Sequence, residues 1–383
     1  MSGGYDAVVI GSGSVGTPIA LSLAEAGLSV GVFDPGPSTG RGDNRAAIGG
    51  IRATHSEPAK AALCRESIDV FAGWLEARGE DLEWRRGGYL FVAFREADAE
   101  ALRGVVATQR AMGLEIDWVG PDRVAELVPR IEAGGLLGGT FSPGDGSASP
   151  LLAAHWFRVE AERAGARFHF GEPVVAIRRR AGRVGGVVTP LGDHPTPLVV
   201  NAPGSDAPTL GRMVDVDLPV RAEGHEAGVS EPVDRFLEPM LVDLRPGARS
   251  KNVYLYQNAR GQVLFSIAPD PPEPGDDRRV RSGFLPEAAT RLVQLLPRLR
   301  HLEVRRTWRG VYPMTPDGSP LLGPIGPEGH LVAVGMCGQG FMLGPGVGRC
   351  LARHVTGALT PQDEMVLAEL SPERAFEGAE LLR

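Results

Sequence analysis

Near the start of the chain, two continuous apolar runs flank a segment in which apolar residues recur at helical spacing. Residues 7–10 form an unbroken apolar run, which is typical of a buried parallel strand. A helix is expected over residues 15–26, because small and apolar residues recur there at helical spacing. Residues 30–33 form a second apolar run. The pattern therefore predicts a strand, a turn, a helix and a second strand.

Further along the chain, the same pattern predicts a mixture of helices and strands. Helices are expected over residues 58–78, 97–112, 121–128, 151–164 and 286–296, and a last helix is expected to end near Gly357. Strands are expected over residues 87–94, 167–170, 174–178, 184–189, 198–202 and 331–334. Residues 216–307 are predicted to be mainly strands, over 228–229, 240–242, 253–256 and 263–267, with a polar, proline-rich loop over 269–279.

The turn after the first strand has the pattern G-x-G-x-x-G, with glycines at Gly11, Gly13 and Gly16. Gly11 permits a tight turn, Gly13 lets the backbone approach a pyrophosphate, and Gly16 lets the helix pack closely on the strand. The N terminus of the following helix attracts phosphate groups. Asp34 lies 18 residues after Gly16, where a carboxylate can bind both hydroxyls of an adenosine ribose. Together these features predict a bound dinucleotide.

Three later segments are predicted to return to this unit. Residues 199–204 end an apolar strand in a turn of small residues, and residues 331–335 form another such strand. A helix start follows that is rich in glycine, at Gly338, Gly340, Gly344, Gly346 and Gly348. The N terminus of this helix would stabilise negative charge on a flat cofactor ring. The alternative is that these glycines serve helix packing alone.

Composition and charge narrow the possible classes of protein. The 383 residues allow about two domains, and 43% of them are hydrophobic. The formal net charge is −7 and no basic run stands out, so nucleic-acid binding is not expected. No apolar run reaches the roughly 18 residues of a membrane helix, and the first strand begins too early for a signal peptide. These observations predict a soluble, cytoplasmic protein without a membrane span.

The cysteines and lysines are few. Cys64, Cys337 and Cys350 lie too far apart for a disulfide framework or a C-x-x-C metal site, so no metal is expected. All but two of the 40 basic residues are arginine, and the two exceptions are Lys60 and Lys251. The sequence therefore offers only two candidates for a catalytic lysine.

Motifs along nearly the whole chain are similar to those of one family of flavoproteins. They are GSGSVG with Asp34, and the segments at residues 44–58, 87–91, 145–150, 199–204, 307–323 and 335–348. In this order they resemble the D-amino acid oxidase superfamily, and most closely its sarcosine oxidase, glycine oxidase and dye-linked proline dehydrogenase branch. The resemblance implies FAD as the cofactor and oxidation of an amine, usually a small amino acid or N-methyl amino acid.

The resemblance also implies the fold. The expected class is α/β, with a Rossmann-like FAD-binding domain that is discontinuous in the chain and a mixed-sheet α+β substrate domain. The FAD-binding domain is expected to comprise residues 1–84, 141–215 and 308–383. The substrate domain is expected to comprise residues 85–140 and 216–307, with the flavin at the interface.

The cofactor contacts that the resemblance implies follow the family motifs. They are Gly11, Ser12, Gly13, Ser14, Val15, Gly16, Asp34, Arg45, Ala46, Ala47, Gly49, Gly50, Val174, Ala202, Pro203, Gly204, Gly310, Gly338, Gln339, Gly340, Phe341 and Met342. The family normally has glutamate where this chain has Asp34, which is one methylene shorter and is expected to reach the ribose. Monomeric sarcosine oxidases bond the flavin through a cysteine, and Gly310 takes that position here. Non-covalent FAD is therefore expected, with packing as the expected role of Cys337.

Five residues are candidates for catalysis. Arg52 matches the family's arginine that binds the substrate carboxylate, although a solvated or structural charge is the alternative. His55 is a candidate to line the site or to form a structural hydrogen bond. Tyr254 and Tyr256 alternate on a strand that is expected to form the floor of the substrate cavity. They are expected to point to opposite faces, so that at most one reaches the site.

Two lysines of the related oxidases are replaced. The lysine that helps hold the substrate carboxylate is Met342 here, and the lysine over the flavin falls near Ser266, the fifth candidate. Lys60 and Lys251 are not well placed to substitute, and His225 has no local context that suggests a role.

The leading hypothesis is hydride transfer from the carbon beside a neutral amine to flavin N5, which gives an imine. An external acceptor such as a dye, a quinone or a protein is favoured over oxygen. One alternative is an accessory flavoprotein subunit of a multi-subunit amine or proline dehydrogenase, with partner subunits. A second is an NAD-dependent dehydrogenase that uses the same dinucleotide motif.

Overall fold

The computed structural model describes residues 4–376 of the chain. The helices are α1 (Gly16–Glu25), α2 (Pro58–Arg78), α3 (Glu96–Ala111), α4 (Pro121–Leu127), α5 (Pro150–Arg163), α6 (Ala207–Arg212), α7 (Phe284–Leu295), α8 (Gly340–Thr356) and α9 (Pro361–Glu369). Short 3-10 helices span Asp43–Ala46, Gly204–Asp206 and Pro297–His301. No helix in the described range is long and apolar enough to cross a bilayer.

The strands belong to two large and two small sheets. In chain order they are β1 (Ala7–Ile10), β2 (Val30–Asp34), β3 (Gly50–Ile51), β4 (Tyr89–Ala93), β5 (Asp117–Val119), β6 (Gly138–Ser142), β7 (Gly146–Ser147), β8 (Arg167–Phe170), β9 (Ala176–Arg180), β10 (Arg183–Thr189), β11 (Gly192–His194), β12 (Val199–Asn201), β13 (Arg221–Pro232), β14 (Met240–Asp243), β15 (Ser250–Gln257), β16 (Gln262–Pro269), β17 (Val304–Met314), β18 (Leu321–Pro324) and β19 (His330–Val334).

The first large sheet has six strands in the order β18-β19-β12-β1-β2-β8. Its pairs are parallel except at the β18 edge. The strands come from three separate stretches of the chain, as expected of a discontinuous Rossmann-like unit. Buried clusters cover both faces, one of them including helices α1, α2, α5 and α8. This coverage explains why β1 and β19 are buried at every position, and why all their residues except His330 are apolar.

The second large sheet has eight strands in the order β17-β13-β16-β15-β14-β4-β6-β5. It is mixed, because β14 pairs in parallel with β4 while the other pairs are antiparallel. One face packs against helix α7 in a cluster that includes Leu255 and Phe265. The other face presents Tyr89, Phe91 and Tyr256 in a separate cluster. Neighbours in a strand point to opposite faces, so the sheet has one face for a core and one for a site.

These observations confirm the predicted α/β class with its parallel sheet and mixed sheet. The boundaries of helix α2 are as predicted, since Pro58 begins it and Gly79 ends it in a left-handed conformation, with φ of 85°.

Two long strands were underestimated by the sequence pattern. Strand β13 has 12 residues, of which two were predicted, and no strand was predicted over β17, which has 11 residues. The division into domains stays a prediction. Strand β17 continues across position 308, and β6 continues across position 141, each within the eight-stranded sheet.

Candidate functional site

A large cavity lies between the glycine turn of the six-stranded sheet and the open face of the eight-stranded sheet. Many residues predicted for the site line it: Ser14, Val15, Ala46, Ala47, Gly49, Gly50, Arg52, Gly204, Tyr254, Gly310, Gly338, Gln339, Gly340, Phe341 and Met342. Other predicted residues lie outside this lining: Gly11, Ser12, Gly13, Gly16, Asp34, Arg45, His55, Val174, Ala202, Pro203, Tyr256 and Ser266.

The three glycines of the turn differ in what a side chain would meet. A Cβ atom on Gly11, which has φ of 101°, would lie 2.4 Å from the carbonyl oxygen of Ala202. A Cβ atom on Gly16 would lie 1.9 Å from the carbonyl oxygen of Gly11. At Gly13 nothing lies within 4 Å. The protein itself therefore requires Gly11 and Gly16, whereas Gly13 faces open space that a ligand can use.

Asp34 is tied to the glycine turn at the end of β2. Its Oδ2 accepts hydrogen bonds from the backbone N–H and the hydroxyl of Ser12, each at 2.7 Å. Its Oδ1 accepts one from the backbone N–H of Gly36, at 2.7 Å. The carboxylate is half-buried. Each carboxylate oxygen has two lone pairs, so Oδ1 keeps acceptor capacity for a ribose hydroxyl.

A second polar anchor lies where the loop after β2 meets the end of β12. Asp43 lines the cavity and accepts hydrogen bonds from the N–H (3.2 Å) and hydroxyl (3.0 Å) of Ser205. Arg278, from the polar loop of the eight-stranded sheet, donates to the same carboxylate at 2.6 Å. Gly204 follows β12 with φ of 65°, a conformation that suits glycine. Asp43 thus joins both large sheets at the rim of the cavity.

The glycines around helix α8 divide into two groups. Gly338 and Gly340 line the cavity, and a Cβ atom on Gly338 would lie 2.3 Å from the ring of Tyr312. A Cβ atom on Gly344, on Gly346 or on Gly348 would instead lie within 2.6 Å of a backbone carbonyl oxygen of residues 14, 63 or 18. The packing alternative left open by the sequence therefore applies to Gly344, Gly346 and Gly348, whereas the cofactor role of Gly338 and Gly340 stays a prediction. The first group lines the cavity at the helix start, where Gly338 lets the turn lie against Tyr312, and the second group lets α8 pack closely on α1 and α2.

Gly310 lies in β17, opposite His225 of β13, and lines the cavity. A Cβ atom at this position would lie 2.5 Å from the Cβ atom of Ala46. Trp308 points to the same face of β17, and its indole N–H donates to the carbonyl oxygen of Ala46 at 2.9 Å. The segment before β3 therefore lies directly against β17, and no space for a larger side chain is left at position 310.

Arg52 follows strand β3 and is buried, with 5% of its surface exposed. Its guanidinium lies 6.0 Å from the ring centre of Tyr89 and 5.6 Å from that of Phe91, and it donates to the carbonyl oxygen of Thr54. Arg52 lines the cavity, so a buried cation faces it among aromatic rings.

Asp145 fixes the segment that carries Arg52. It is buried and accepts hydrogen bonds from the N–H of Ala53 at 2.8 Å and the hydroxyl of Thr54 at 3.1 Å. Burial raises the pKa of Asp145 to about 6, although these hydrogen bonds and the charge of Arg52 act in the opposite direction. Asp145 therefore fixes the backbone that follows Arg52 through its hydrogen bonds to Ala53 and Thr54.

His55 lies behind the site. It is fully buried, and its Nε2 lies 3.3 Å from the sulfur of Cys64, which itself lies 3.8 Å from the carbonyl oxygen of Met342. Gln109 donates to the carbonyl oxygen of His55 at 3.2 Å. Of its two predicted roles, these contacts match the structural one.

The expectation that Tyr254 and Tyr256 point to opposite faces is wrong, because residues two apart in a strand share a face. Both belong to the cluster on the open face of the eight-stranded sheet. Only Tyr254 lines the cavity, where its hydroxyl lies 3.3 Å from that of Tyr312. The hydroxyl of Tyr256 donates to the carbonyl oxygen of Ile48 instead.

Ser266 is on the same face as Tyr254, directly opposite it in β16. Its hydroxyl donates to the carbonyl oxygen of Glu226 at 2.6 Å, and the side chain is buried. Ala268, two residues further on the same face, lines the cavity. The cofactor candidate Arg45 lies in a neighbouring pocket with Trp308.

Several residues that line the cavity were not predicted from the sequence: Tyr89, Phe91, His225, Met240, Val242, Asn252 and Tyr312. His225 stacks on Tyr312, with ring centres 3.8 Å apart, and its Nε2 has no hydrogen-bond partner among residues 4–376. Burial, together with the charges of Arg309 and Lys251, lowers the pKa of His225 to about 3. The imidazole is therefore neutral at physiological pH. Alternation along β4 and β14, which places Tyr89, Phe91, Met240 and Val242 on one face, was a signal that could have found four of these residues.

The residues of the site fit FAD. The open space at Gly13 adjoins the N terminus of helix α1, which has no side-chain cap among the described residues. Asp34 lies at the end of β2, where a ribose binds in this architecture. The cavity then extends along loop 44–50 to the start of α8, where Gly338 and Gly340 line it.

Comparison with known proteins agrees with this geometry. Glycine oxidase of Geobacillus kaustophilus is 29% identical over 361 residues, which cover 91% of this chain and 92% of that protein. Sarcosine oxidase subunit beta of Rhodobacter capsulatus is 24% identical, covering 98% of this chain and 89% of the relative.

Among solved structures, L-proline dehydrogenase from P. horikoshii superposes with a TM-score of 0.91 at 27% identity, covering 98% of each chain. Glycine oxidase from Geobacillus kaustophilus superposes with a TM-score of 0.86 at 26% identity, covering 97% of this chain and 99% of that one. Residues 6–354 match the DAO family, described as FAD dependent oxidoreductase. The chain therefore belongs to the DAO family of FAD-dependent oxidoreductases, and its cofactor is FAD.

Proposed function

We propose that this protein oxidises a small amine or amino acid that carries a carboxylate. The observation that carries the proposal is Arg52, a buried cation that lines the cavity beside the predicted flavin position. A buried guanidinium binds a carboxylate through charge-assisted hydrogen bonds and fixes its orientation. The relatives named above as glycine oxidase, sarcosine oxidase subunit beta and L-proline dehydrogenase support this substrate class.

When bound, FAD would accept the hydride from the carbon–hydrogen bond beside a neutral amine. The chain's own residues position that bond and exclude water. Arg52 binds the carboxylate, and the rings of Tyr89 and Phe91 hold the guanidinium in place. The imidazole of His225 on β13, which is uncharged at physiological pH, also lines the cavity, as does Tyr254 on β15. Such positioning is a main contribution of the protein in a cofactor enzyme.

FAD is proposed to be held without a covalent bond. A cysteine side chain at position 310 would collide with Ala46, because even its Cβ atom has no room there. The sulfur of Cys337 lies 3.3 Å from the hydroxyl of Thr315 and donates to the carbonyl oxygen of Gly335 at 3.1 Å. Burial raises the pKa of the Cys337 thiol, which disfavours the reactive thiolate. Acid precipitation should release yellow flavin into the supernatant, and colour retained in the pellet would contradict this assignment.

Anaerobic titration of the purified holoprotein with amines and amino acids tests the function. Loss of the oxidised-flavin absorbance with at least one carboxylate-bearing amine supports it. If none of them reduces a flavin that dithionite does reduce, the proposal fails.

A second candidate is a flavoprotein subunit that acts within a larger assembly. The similarity to sarcosine oxidase subunit beta over 98% of this chain favours it. The same titration separates the two, because an accessory subunit alone would leave its flavin oxidised in the presence of the amine.

A further inference from the structure

The substrate end of the cavity is the part that faces the eight-stranded sheet. Tyr89 and Met240 are direct neighbours on β4 and β14, and Phe91 and Val242 are the next pair on the same face. Apart from the hydroxyl of Tyr89, these four side chains form a continuous apolar wall of the cavity. We refer to Tyr89, Phe91, Met240 and Val242 as the apolar wall.

The charges of the cavity are few and lie apart. Arg52 is the one lysine or arginine among the described lining residues, and Asp43 is the one carboxylate. Asp43 is already bound by Ser205 and Arg278 near Gly204. Arg52 lies at the apolar wall, over the rings of Tyr89 and Phe91. The substrate end therefore offers one positive charge and no negative one.

This distribution restricts the substrate. A carboxylate on Arg52 is paired, but a second carboxylate would face the apolar wall without a cation, and an added ammonium would face it without an anion. An unpaired charge in such surroundings is costly, whereas apolar carbons against the wall are favourable. Methionine is flexible, so Met240 can adapt to branched or cyclic groups.

We infer that the substrate is an amino acid with a single carboxylate and an apolar side chain or ring, selected by the apolar wall. The inference rests on the proposed function and specifies it. Glycine would leave the wall uncovered, and dicarboxylic or basic amino acids would bring an unpaired charge to it.

Binding of carboxylates that lack an amine tests the inference without turnover. The probes are acetate, propanoate, butanoate and pentanoate, together with the dicarboxylate glutarate, titrated into oxidised holoenzyme and followed by flavin difference spectra and calorimetry. The dissociation constant should fall about fourfold with each added methylene. Glutarate should bind at least about tenfold more weakly than pentanoate, which has the same number of carbons. Equal affinity along the series, or for glutarate and pentanoate, overturns the inference.

Two variants probe the wall. Phe91→Leu should reduce the dependence of affinity on chain length, whereas Phe141→Leu, on the opposite face of neighbouring strand β6, should leave it unchanged. Met240→Arg should reverse the preference, so that glutarate binds more tightly than pentanoate. If Met240→Arg folds with full FAD and keeps the preference for pentanoate, the assignment of the wall is wrong. The wild-type series alone decides the inference where a variant does not fold.

Anaerobic reduction of the flavin separates the two levels of the proposal. Alanine, valine, leucine and proline, in both enantiomers, are compared with glycine, glutamate and lysine. The best apolar amino acid should reduce the flavin at least about tenfold more efficiently than glycine, glutamate and lysine. If glycine, glutamate or lysine is as efficient, the inference fails and the proposed function stands. If no amine or amino acid reduces the flavin, the proposed function fails, and the inference with it.

Discussion

Gly13 is the residue of the glycine turn that the protein's own packing leaves free, since nothing lies within 4 Å of a Cβ atom placed there. Gly13→Val is expected to leave the fold intact and to prevent FAD binding, because the side chain would occupy the space of the pyrophosphate. The flavin content of the purified variant and its far-ultraviolet circular dichroism measure the two effects. Gly104→Val, which also faces open space but lies in α3, should retain FAD. A Gly13→Val protein with a full complement of FAD would contradict the interpretation of the turn.

Arg52 is expected to contribute substrate binding rather than cofactor binding. Arg52→Ala should raise KM, with a loss of about 2–4 kcal/mol for a charge-assisted contact in a buried site. The flavin spectrum should change little. Arg52→Lys should restore part of the affinity, because lysine keeps the charge and loses the bidentate geometry. Steady-state kinetics with the best substrate measure both. Arg260→Ala, an exposed arginine paired with Glu83, provides the control. Kinetics of Arg52→Ala equal to those of the control would remove Arg52 from the site.

Asp145 should make stability depend on pH. Its pKa in the folded protein is raised from the ordinary value of 3.8 to about 6, mainly by burial. The folded state therefore binds this proton more tightly than the unfolded state. The resulting stabilisation is fully present below pH 3.8 and is lost as pH rises through about 6. The full difference corresponds to about 3 kcal/mol.

Asp145→Asn stays neutral and should lack this component. The free energy of urea unfolding of both proteins is measured from pH 4 to pH 7.5 with FAD in excess. The stability of the variant relative to the wild type should increase as pH rises. A difference that is constant across this range would mean that Asp145 does not titrate there.

At the scale of single residues, the sequence predicts those whose role depends on neighbours in the chain. The separate requirements for Gly11, Gly13 and Gly16 follow from one local turn, and the structure reproduces the local geometry. His225 and Asn252 reach the cavity only because β13 and β15 lie in one sheet that faces the dinucleotide unit. No residue close to them in sequence marks them as cavity residues, so their place depends on tertiary structure. The faces of Tyr254 and Tyr256 were predictable, in contrast, because residues two apart in a strand lie on the same face.

Helix α8 depends on glycine for its approach to neighbouring helices. A Cβ atom on Gly346 would lie 2.2 Å from the carbonyl oxygen of Leu63, so Gly346→Ala must push α8 away from α2. The expected loss of stability is about 1–3 kcal/mol, as for other overpacked positions. Gly73→Ala in α2, where nothing lies within 4 Å, should instead stabilise the protein by about 0.5–1 kcal/mol. Thermal or urea unfolding of the two holoproteins measures the contrast. Equal stabilities would show that α8 and α2 are not in close contact at Gly346.

Elements with a regular local signal were predictable, and long polar strands were not. Helix α2 has proline at its first position and glycine at its end, so its limits follow from the sequence. Strand β13 contains polar residues on both faces and β17 begins with an exposed, arginine-rich segment, so neither shows the apolar alternation of a half-buried strand. Their 10 paired positions run alongside each other at one side of the eight-stranded sheet, and this long-range pairing stabilises them.

The two large sheets together form the site, because neither lines the cavity alone. Arg278, from the loop after β16, donates to Asp43 in the loop after β2. Ala46 in the same loop lies against Gly310, and its carbonyl oxygen accepts a hydrogen bond from Trp308. The family resemblance predicted that the flavin lies between two units. The boundaries between the units have no local signal, since β6 and β17 continue across two of the expected positions.

The placement of positive charge in the whole molecule bears on the electron acceptor. Reduced flavin reacts fastest with oxygen when a nearby cation stabilises the forming superoxide. Lys60 is fully buried, with its Nζ 3.4 Å from Glu57, and Lys251 is exposed on β15. Ser266, near which the family resemblance places the lysine of related oxidases, donates to the carbonyl oxygen of Glu226. Arg52 is the one lysine or arginine among the described residues that line the cavity, and in the proposed function it is paired with the substrate carboxylate.

We therefore expect slow reoxidation by oxygen and a preference for a dye, a quinone or a protein acceptor. Ala268 lines the cavity on the face that carries Ser266, so Ala268→Lys would bring a cation to it. Stopped-flow mixing of the reduced enzyme with air-saturated buffer should show at least about tenfold faster reoxidation in this variant, which corresponds to about 1.4 kcal/mol of electrostatic stabilisation. Ala268→Met, similar in length and uncharged, should reoxidise at the wild-type rate. Wild-type reoxidation faster than turnover with an artificial dye would refute the preference, because the resident charges would then suffice for oxygen.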